Sequence, residues 1–195
     1  MSTPEPAVAP PANPTGSAVD DVRQLYRAAA DAEPGPDRAR HVALLKAFLA
    51  GVEAHAKELV PSGEEVGPLL DDAAMAFFRD SQPALARRTI DLGLGYQPGA
   101  VALLHHKALI LLAQNQDLPE ALELVETAVQ ANPNDRKLWA TKGDALKLLD
   151  RPAEAADAYL RAQQLDATST QYVDKALRLA PTNPKALRVK LDLAQ

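Results

Sequence analysis

The sequence predicts an all-α fold, an α-solenoid of antiparallel helix pairs with a helical hairpin at its N-terminal end. Three observations carry this expectation. Ala and Leu supply most of the apolar content, and aromatic residues are only 4% of the chain, so the apolar residues are those of highest helix propensity. The apolar residues recur with a helical period, as in the stripe Leu45, Phe48, Leu49, Val52, Ala56 and Leu59, and no stretch alternates like a strand. A pattern of small and bulky residues also repeats at a fixed offset.

Prolines punctuate the chain. Five of the sixteen fall within residues 1–17, a Pro/Ala-rich segment too poor in bulky apolar residues to offset its ordering entropy, and so an expected disordered tail. Pro34 and Pro36 separate two periodic segments, and Pro61 and Pro68 are expected to flank a Ser-Gly-Glu turn. Pro83, Pro119 and Pro152 stand at the first turn of new helices, where a missing N–H costs nothing. Pro98 and Pro133 follow helix ends. The expected helices are 18–33, 37–60, 66–80, 83–96, 100–114, 119–131, 135–149, 152–166, 169–180 and 184–194.

The recurrence is the sharpest signal. Ala86, Ile90 and Gly93 precede Pro98; Ala121, Val125 and Ala128 precede Pro133; Ala155, Tyr159 and Ala162 precede Ala167. The offsets are 35 residues from Ala86 to Ala121 and 34 from Ala121 to Ala155. Upstream, a large, a small and a large residue recur as Leu70, Ala74, Phe77; Leu104, Ala108, Leu111; and Trp139, Gly143, Leu146. Small residues allow two helices to cross closely, and bulky ones fill the space between consecutive pairs.

This pattern resembles the tetratricopeptide repeat (TPR) family over residues 66–168. It departs from the family where Ala167 replaces a closing proline and where the second unit carries one extra residue in its inter-helix turn. The expected organisation is a tail (1–17), an N-terminal helical hairpin (18–63), three repeats within 64–168 (about 66–99, 100–134 and 135–168), and a degenerate or incomplete fourth pair (169–195). The hairpin would cap the open end of the array, as terminal units of solenoids must.

Little in the sequence points to catalysis, and no enzyme activity is expected. There are no cysteines, which removes thiol nucleophiles and thiolate metal sites. His41 and His55 are fourteen residues apart, about 21 Å along a helix. The adjacent His105 and His106 diverge around the helix rather than converging on one ion, so no metal and no cofactor are expected. The carboxylates lie at spacings of solvated helix faces. A formal net charge of -5 opposes a general nucleic-acid surface, which needs clustered Lys and Arg. No apolar run reaches the ~20 residues of a membrane span, and no signal peptide is visible, so a cytoplasmic location is the default.

The function expected is therefore a protein–protein interaction module, an adaptor or scaffold that takes a peptide or helix of a partner. In the family this resembles, the residues one step past the packed stripe of each first helix line a concave groove. Here they are Asp71, Met75 and Phe78; His105, Leu109 and Leu112; and Ala140, Asp144 and Lys147, with Lys137 a turn before Ala140. A subset of the family grips chaperone C-termini with Lys, Arg and Asn on this face. Asp71 and Met75 stand where such residues would be needed, so an amphipathic helix or extended apolar peptide suits the surface better. Trp139, at a repeat position, is expected to pack.

Two alternatives accompany this reading. One is self-assembly as a homo-oligomer through the C-terminal helix, where Leu187, Leu191 and Ala194 form one apolar stripe and Ala186, Val189 and Leu193 a second. Val189 and Leu193 are the residues expected to face outwards there. The other is a regulatory or recruiting role within a larger enzyme.

Overall fold

A computed structural model describes residues 17–32, 38–166 and 170–193. The tail expected over 1–17 lies outside these residues, apart from Ser17. The described residues form α-helices, one 3-10 turn and no strand. The chain divides into two compact units, Met1–Pro98 and Gly99–Gln195. Among the described residues no helix is long and apolar enough to cross a membrane.

The N-terminal unit holds α1 (Ala18–Ala30), α2 (Arg38–Ala54), the short α3 (Ala56–Leu59), α4 (Gly63–Arg79) and α5 (Pro83–Tyr96). Helix α1 starts where Ser17 accepts from the Asp20 N–H and Asp20 reaches back to the Ser17 backbone, a reciprocal cap that satisfies two otherwise orphaned donors. Its apolar face packs on α2, burying Val22 and Ala29 with Leu45, Phe48 and Val52. Tyr26 meets Phe48 edge-on at 5.5 Å. Gly51 is the close-approach residue: a Cβ there would lie 2.6 Å from Leu25 Cδ1. The hairpin thus contains a small-residue crossing of its own, outside the register of the repeats.

The connection into α4 differs from expectation in two ways. The helix expected over 37–60 breaks at His55, whose φ of -102° and ψ of 16° leave helical geometry. Val60–Ser62 then form the 3-10 turn. The turn expected between Pro61 and Pro68 is helix instead, because α4 begins at Gly63 and runs through Pro68. Pro68 has no N–H for the Glu64 carbonyl, but its ring is exposed and α4 is held from its other side. Gly63 lies against the Tyr96 carbonyl, 3.1 Å from where a Cβ would sit, and Gly67 lies against the Gln97 side chain. These two glycines, one turn apart, let the end of α5 lie directly on α4. Leu70, Ala74 and Phe77 are fully buried against Ala86 and Ile90.

The C-terminal unit holds α6 (Val101–Gln114), α7 (Leu118–Ala131), α8 (Arg136–Leu148), α9 (Pro152–Leu165), α10 (Gln171–Leu179) and α11 (Pro184–Asp192). Helices α6 and α7 pair, as do α8 and α9. Ala108, Ala121 and Ala155 are each fully buried. A Cβ on Gly143 would lie 2.6–2.9 Å from three carbons of the Tyr159 ring, so only glycine admits the ring at that crossing. The extra residue between α6 and α7 has a backbone consequence. That turn needs two left-handed residues, Asn115 (φ 52°) and Asp117 (φ 44°), where the turns before α5 and α9 use one each, Ser81 and Asp150. Asn and Asp tolerate this conformation better than most side chains.

Helices α10 and α11 are nine residues each. Tyr172, Val173 and Ala176 of α10 are buried, and α10 packs on α9. Thr170 supplies no side-chain cap. The buried Gln163 of α9 does so instead: its carbonyl oxygen accepts from the Val173 N–H at 3.2 Å, while its amide donates to the Asp166 carbonyl at 2.9 Å. On α11 the two apolar stripes are reversed from expectation. Ala186 is fully buried and Val189 and Leu193 are half-buried, whereas Leu187 and Leu191 are 49% and 62% exposed. The small Ala186 permits the closest approach to the preceding helices, so its stripe turns inwards and the leucines turn out.

Candidate functional site

The sequence-predicted face divides between the two units, and each part has its own surroundings. In the N-terminal unit the face belongs to α4. Asp71 is only 8% exposed and is engaged within the fold, so it is not the accessible groove residue expected of it. Helix α1 lies along this part of α4 and ties down the positions around it. Arg23 pairs with Glu65, and the Tyr26 hydroxyl donates to Asp72 at 3.1 Å. Burial, and then the Asp72 carboxylate, push the Tyr26 phenol up to about 12.

Met75 and Phe78 are half-buried. Met75 borders a cavity of about 210 Å³ between α1, α2 and α4, whose wall also includes Tyr26, His41, Leu45 and Arg79. His41 is buried and holds Asp80, also buried, through Nδ1 at 2.6 Å. Arg38 adds a longer contact of 3.6 Å to the same carboxylate. Sequence reasoning considered His41 only as a metal ligand. Its actual role joins α2 to the turn after α4, a long-range pairing without a local signature. Arg79 could have been found, because it lies four residues after Met75 on the same face of α4.

In the C-terminal unit the face belongs to α6 and α8, which lie side by side. The Thr141 hydroxyl donates to the Lys137 carbonyl at 2.9 Å, which commits its only proton. Its 2.9 Å contact with His105 Nε2 therefore has the imidazole as donor, and the proton sits on Nε2. The rings of His105 and His106 stack at 5.5 Å. Leu109 and Leu112, one and two turns along from His105, are half-buried. Lys137 and Lys147 are exposed, and neither ammonium has a carboxylate partner among the described residues.

Asp144 shares their stripe but is held by its neighbours. It accepts from the Tyr159 hydroxyl at 2.7 Å and from Lys175 at 3.3 Å, and Lys175 also sits 5.0 Å over the Tyr159 ring. Burial, followed by the bond to Asp144, pushes the Tyr159 phenol well above its ordinary value. With Asp144 neutralised by Lys175, the unmatched charges on this face are the two lysines. Trp139 is half-buried and donates its indole N–H to the Pro133 carbonyl at 2.8 Å, which fixes it to the inter-repeat turn. Among the described residues no three His, Asp or Glu side chains are grouped to hold a metal ion.

Paired helices with small residues at their crossings, repeated in register, define a helical repeat protein. Comparison with solved structures gives the type. A MamA structure from Desulfovibrio magneticus RS-1 superposes with a TM-score of 0.68 at 16% identity, over 92% of this chain and 94% of that one. The first TPR domain of human RPAP3 gives 0.55 at 18% identity, over 65% of this chain and 95% of that one. The second TPR domain of human RPAP3, solved in complex with an HSP70 peptide, gives 0.52 at 19% identity, over 56% and 91%. The chain has a TPR-like, all-α fold. No family model matches the sequence, and no curated protein matches it.

Proposed function

We propose that this chain is a protein-interaction module that takes a peptide or helix of a partner on the α6–α8 face of its C-terminal unit. The observation that carries this reading is the makeup of that face. Half-buried Leu109 and Leu112 lie beside the unmatched Lys137 and Lys147, within a frame fixed by the His105–Thr141 and Asp144–Tyr159 hydrogen bonds. An apolar centre with a charged rim on a rigid frame suits an amphipathic partner segment. The HSP70 peptide in the RPAP3 complex supports such use of the fold. Met75 and Phe78 are half-buried on the α4 face of the N-terminal unit, taken by itself, and we assign the chain no catalytic role.

The test is capture of partners by wild type and by Leu109→Asp. Loss of capture with an unchanged helical circular-dichroism spectrum is the expected result. An unfolded Leu109→Asp variant would place that side chain in the core and remove the reading.

One observation favours a second reading, self-association through α11: Leu187 and Leu191 are exposed one turn apart on the same stripe, and exposed apolar surface of this kind marks interfaces. Light scattering of wild type and of a Leu187→Glu, Leu191→Lys double variant separates the two. A wild type that stays monomeric at high concentration removes the second.

A further inference from the structure

The cavity in the N-terminal unit is a built pocket rather than a packing gap. It measures about 210 Å³, and a dry cavity of about 150 Å³ is enough to bind benzene. The buried Ala73 and Ala76 keep its floor open, the exposed Ala30 lies at its edge, and its walls are Met75, Tyr26, Arg79 and His41. Three of these four favour a ring. A methionine sulfur attracts an aromatic edge, a guanidinium stacks on an aromatic face, and Tyr26 already makes an edge-on ring contact with Phe48. His41 supplies a polar end. It is buried, its Nδ1 is committed to Asp80, and its Nε2 is left without a partner among the described residues.

We propose that this pocket receives one aromatic side chain, a phenol or an indole, from a partner segment, with the hydroxyl or N–H of that ring directed to the polar wall of His41, Asp72 and Arg79. The inference rests on the interaction-module reading and adds an anchor that lies wholly within the N-terminal unit. Phenol and indole fit better than a plain hydrocarbon because the pocket mixes ring-binding walls with the polar side chains of His41, Asp72 and Arg79. An ionised side chain fits worse, because Asp72 and Arg79 border it with opposite charges.

The chain has two methionines, Met1 and Met75, and Met75 lines the pocket, so methyl-labelled methionine places a reporter in its wall, assigned by its loss in Met75→Leu. Titration of the full chain with p-cresol, the tyrosine side chain as a free molecule, is expected to move the Met75 methyl signal upfield and saturably. Ala30→Phe, which fills the pocket from its exposed edge, should abolish the shift. Arg79→Ala, a change at an exposed side chain, should weaken cresol several-fold even if Ala30→Phe does not fold. 4-Methylcyclohexanol should bind several-fold more weakly than cresol. No saturable shift with cresol, an undiminished shift in both variants, or equal binding of the saturated alcohol overturns the proposal. Leu109→Asp lies in the other unit and should leave the cresol shift intact, so failure of the α6–α8 reading and failure of this one are told apart.

Discussion

The two units use the same device, a small residue at a helix crossing, with different compliance. In the N-terminal unit Gly51 is met by the tip of Leu25 and Gly67 by the side chain of Gln97, both able to swing aside. In the C-terminal unit Gly143 is met by the flat of the Tyr159 ring, which cannot move, because its hydroxyl is held by Asp144 and its face is covered by Lys175. The first-helix faces differ in the same sense. That of α4 is partly covered by α1 and encloses a cavity, whereas Leu109, Leu112, Lys137 and Lys147 on α6 and α8 border a fixed frame. One repeat pattern therefore supports both an adaptable face and a rigid one, depending on what packs over each helix.

The largest effect is expected where no adjustment is possible. Ala155 is fully buried at the α8–α9 crossing, and Ala155→Leu should cost about 1–3 kcal/mol through overpacking. Glu123→Leu, at an exposed position of α7, should stay within about 0.5 kcal/mol of wild type. Chemical denaturation of both variants checks the register, and equal midpoints would break it.

The next pair tests compliance directly. Gly→Ala within a helix gains about 1 kcal/mol in propensity. At Gly143 the new methyl meets the Tyr159 ring, so Gly143→Ala should be net destabilising by about 1–2 kcal/mol. At Gly51 the Leu25 tip can rotate, so Gly51→Ala should be neutral or stabilising by up to about 1 kcal/mol. Thermal melts that shift in the same direction for both would erase the distinction between the units.

How much was legible beforehand follows from these contacts. Ala108, Ala121, Gly143 and Ala155 were readable because each belongs to a pattern repeated in register. The Gly51 crossing was not, since its partner Leu25 lies in a helix that repeats nothing. Pro68 misled as the edge of a turn, while the glycines at 63 and 67 that let α4 lie against the end of α5 act through tertiary contact. At the candidate site, which residues share a face was readable from helical spacing. Which of them are covered was not, because coverage comes from distant segments: Asp71 is buried although its helical position matches those of His105 and Ala140, and Val189 turns inwards because Ala186 beside it packs closer than Leu187 can.

A smaller effect is expected from the hydroxyl that immobilises the Tyr159 ring. Tyr159→Phe removes its bond to Asp144, and a hydrogen bond to a charged group is worth about 1.5–3 kcal/mol when buried. Asp144 is partly exposed and keeps Lys175, so a loss of about 1 kcal/mol is expected. In the double variant Gly143→Ala, Tyr159→Phe, the freed ring should absorb part of the methyl's cost, giving a loss smaller than the sum of the two. Strict additivity would mean that the hydroxyl does not hold the ring.

The smallest effects lie at the two ends, where each unit is fastened by one exposed carboxylate with a lowered pKa but a different cause. Asp20 is held below its ordinary value first by the side-chain hydrogen bond from Ser17, and Asp174 first by Lys190, whose ammonium lies 2.5 Å away. A carboxyl whose folded pKa is depressed contributes stability that is complete above its unfolded pKa and is lost as pH falls through the folded value. Both ends should therefore loosen only in acid, below the ordinary carboxylate value of 3.8, and neither should change near neutrality. Salt separates them. An exposed ion pair is screened over about a Debye length, some 10 Å at 0.1 M, whereas a short-range cap to a hydroxyl is not. Amide hydrogen exchange at neutral pH should accelerate at α11 as salt is raised and stay constant at the first turn of α1. Ser17→Ala should accelerate exchange in that first turn at all salt concentrations and leave α11 unchanged. Equal salt sensitivity at both ends would show that Asp20 is held by Arg23 and Arg27 rather than by its cap.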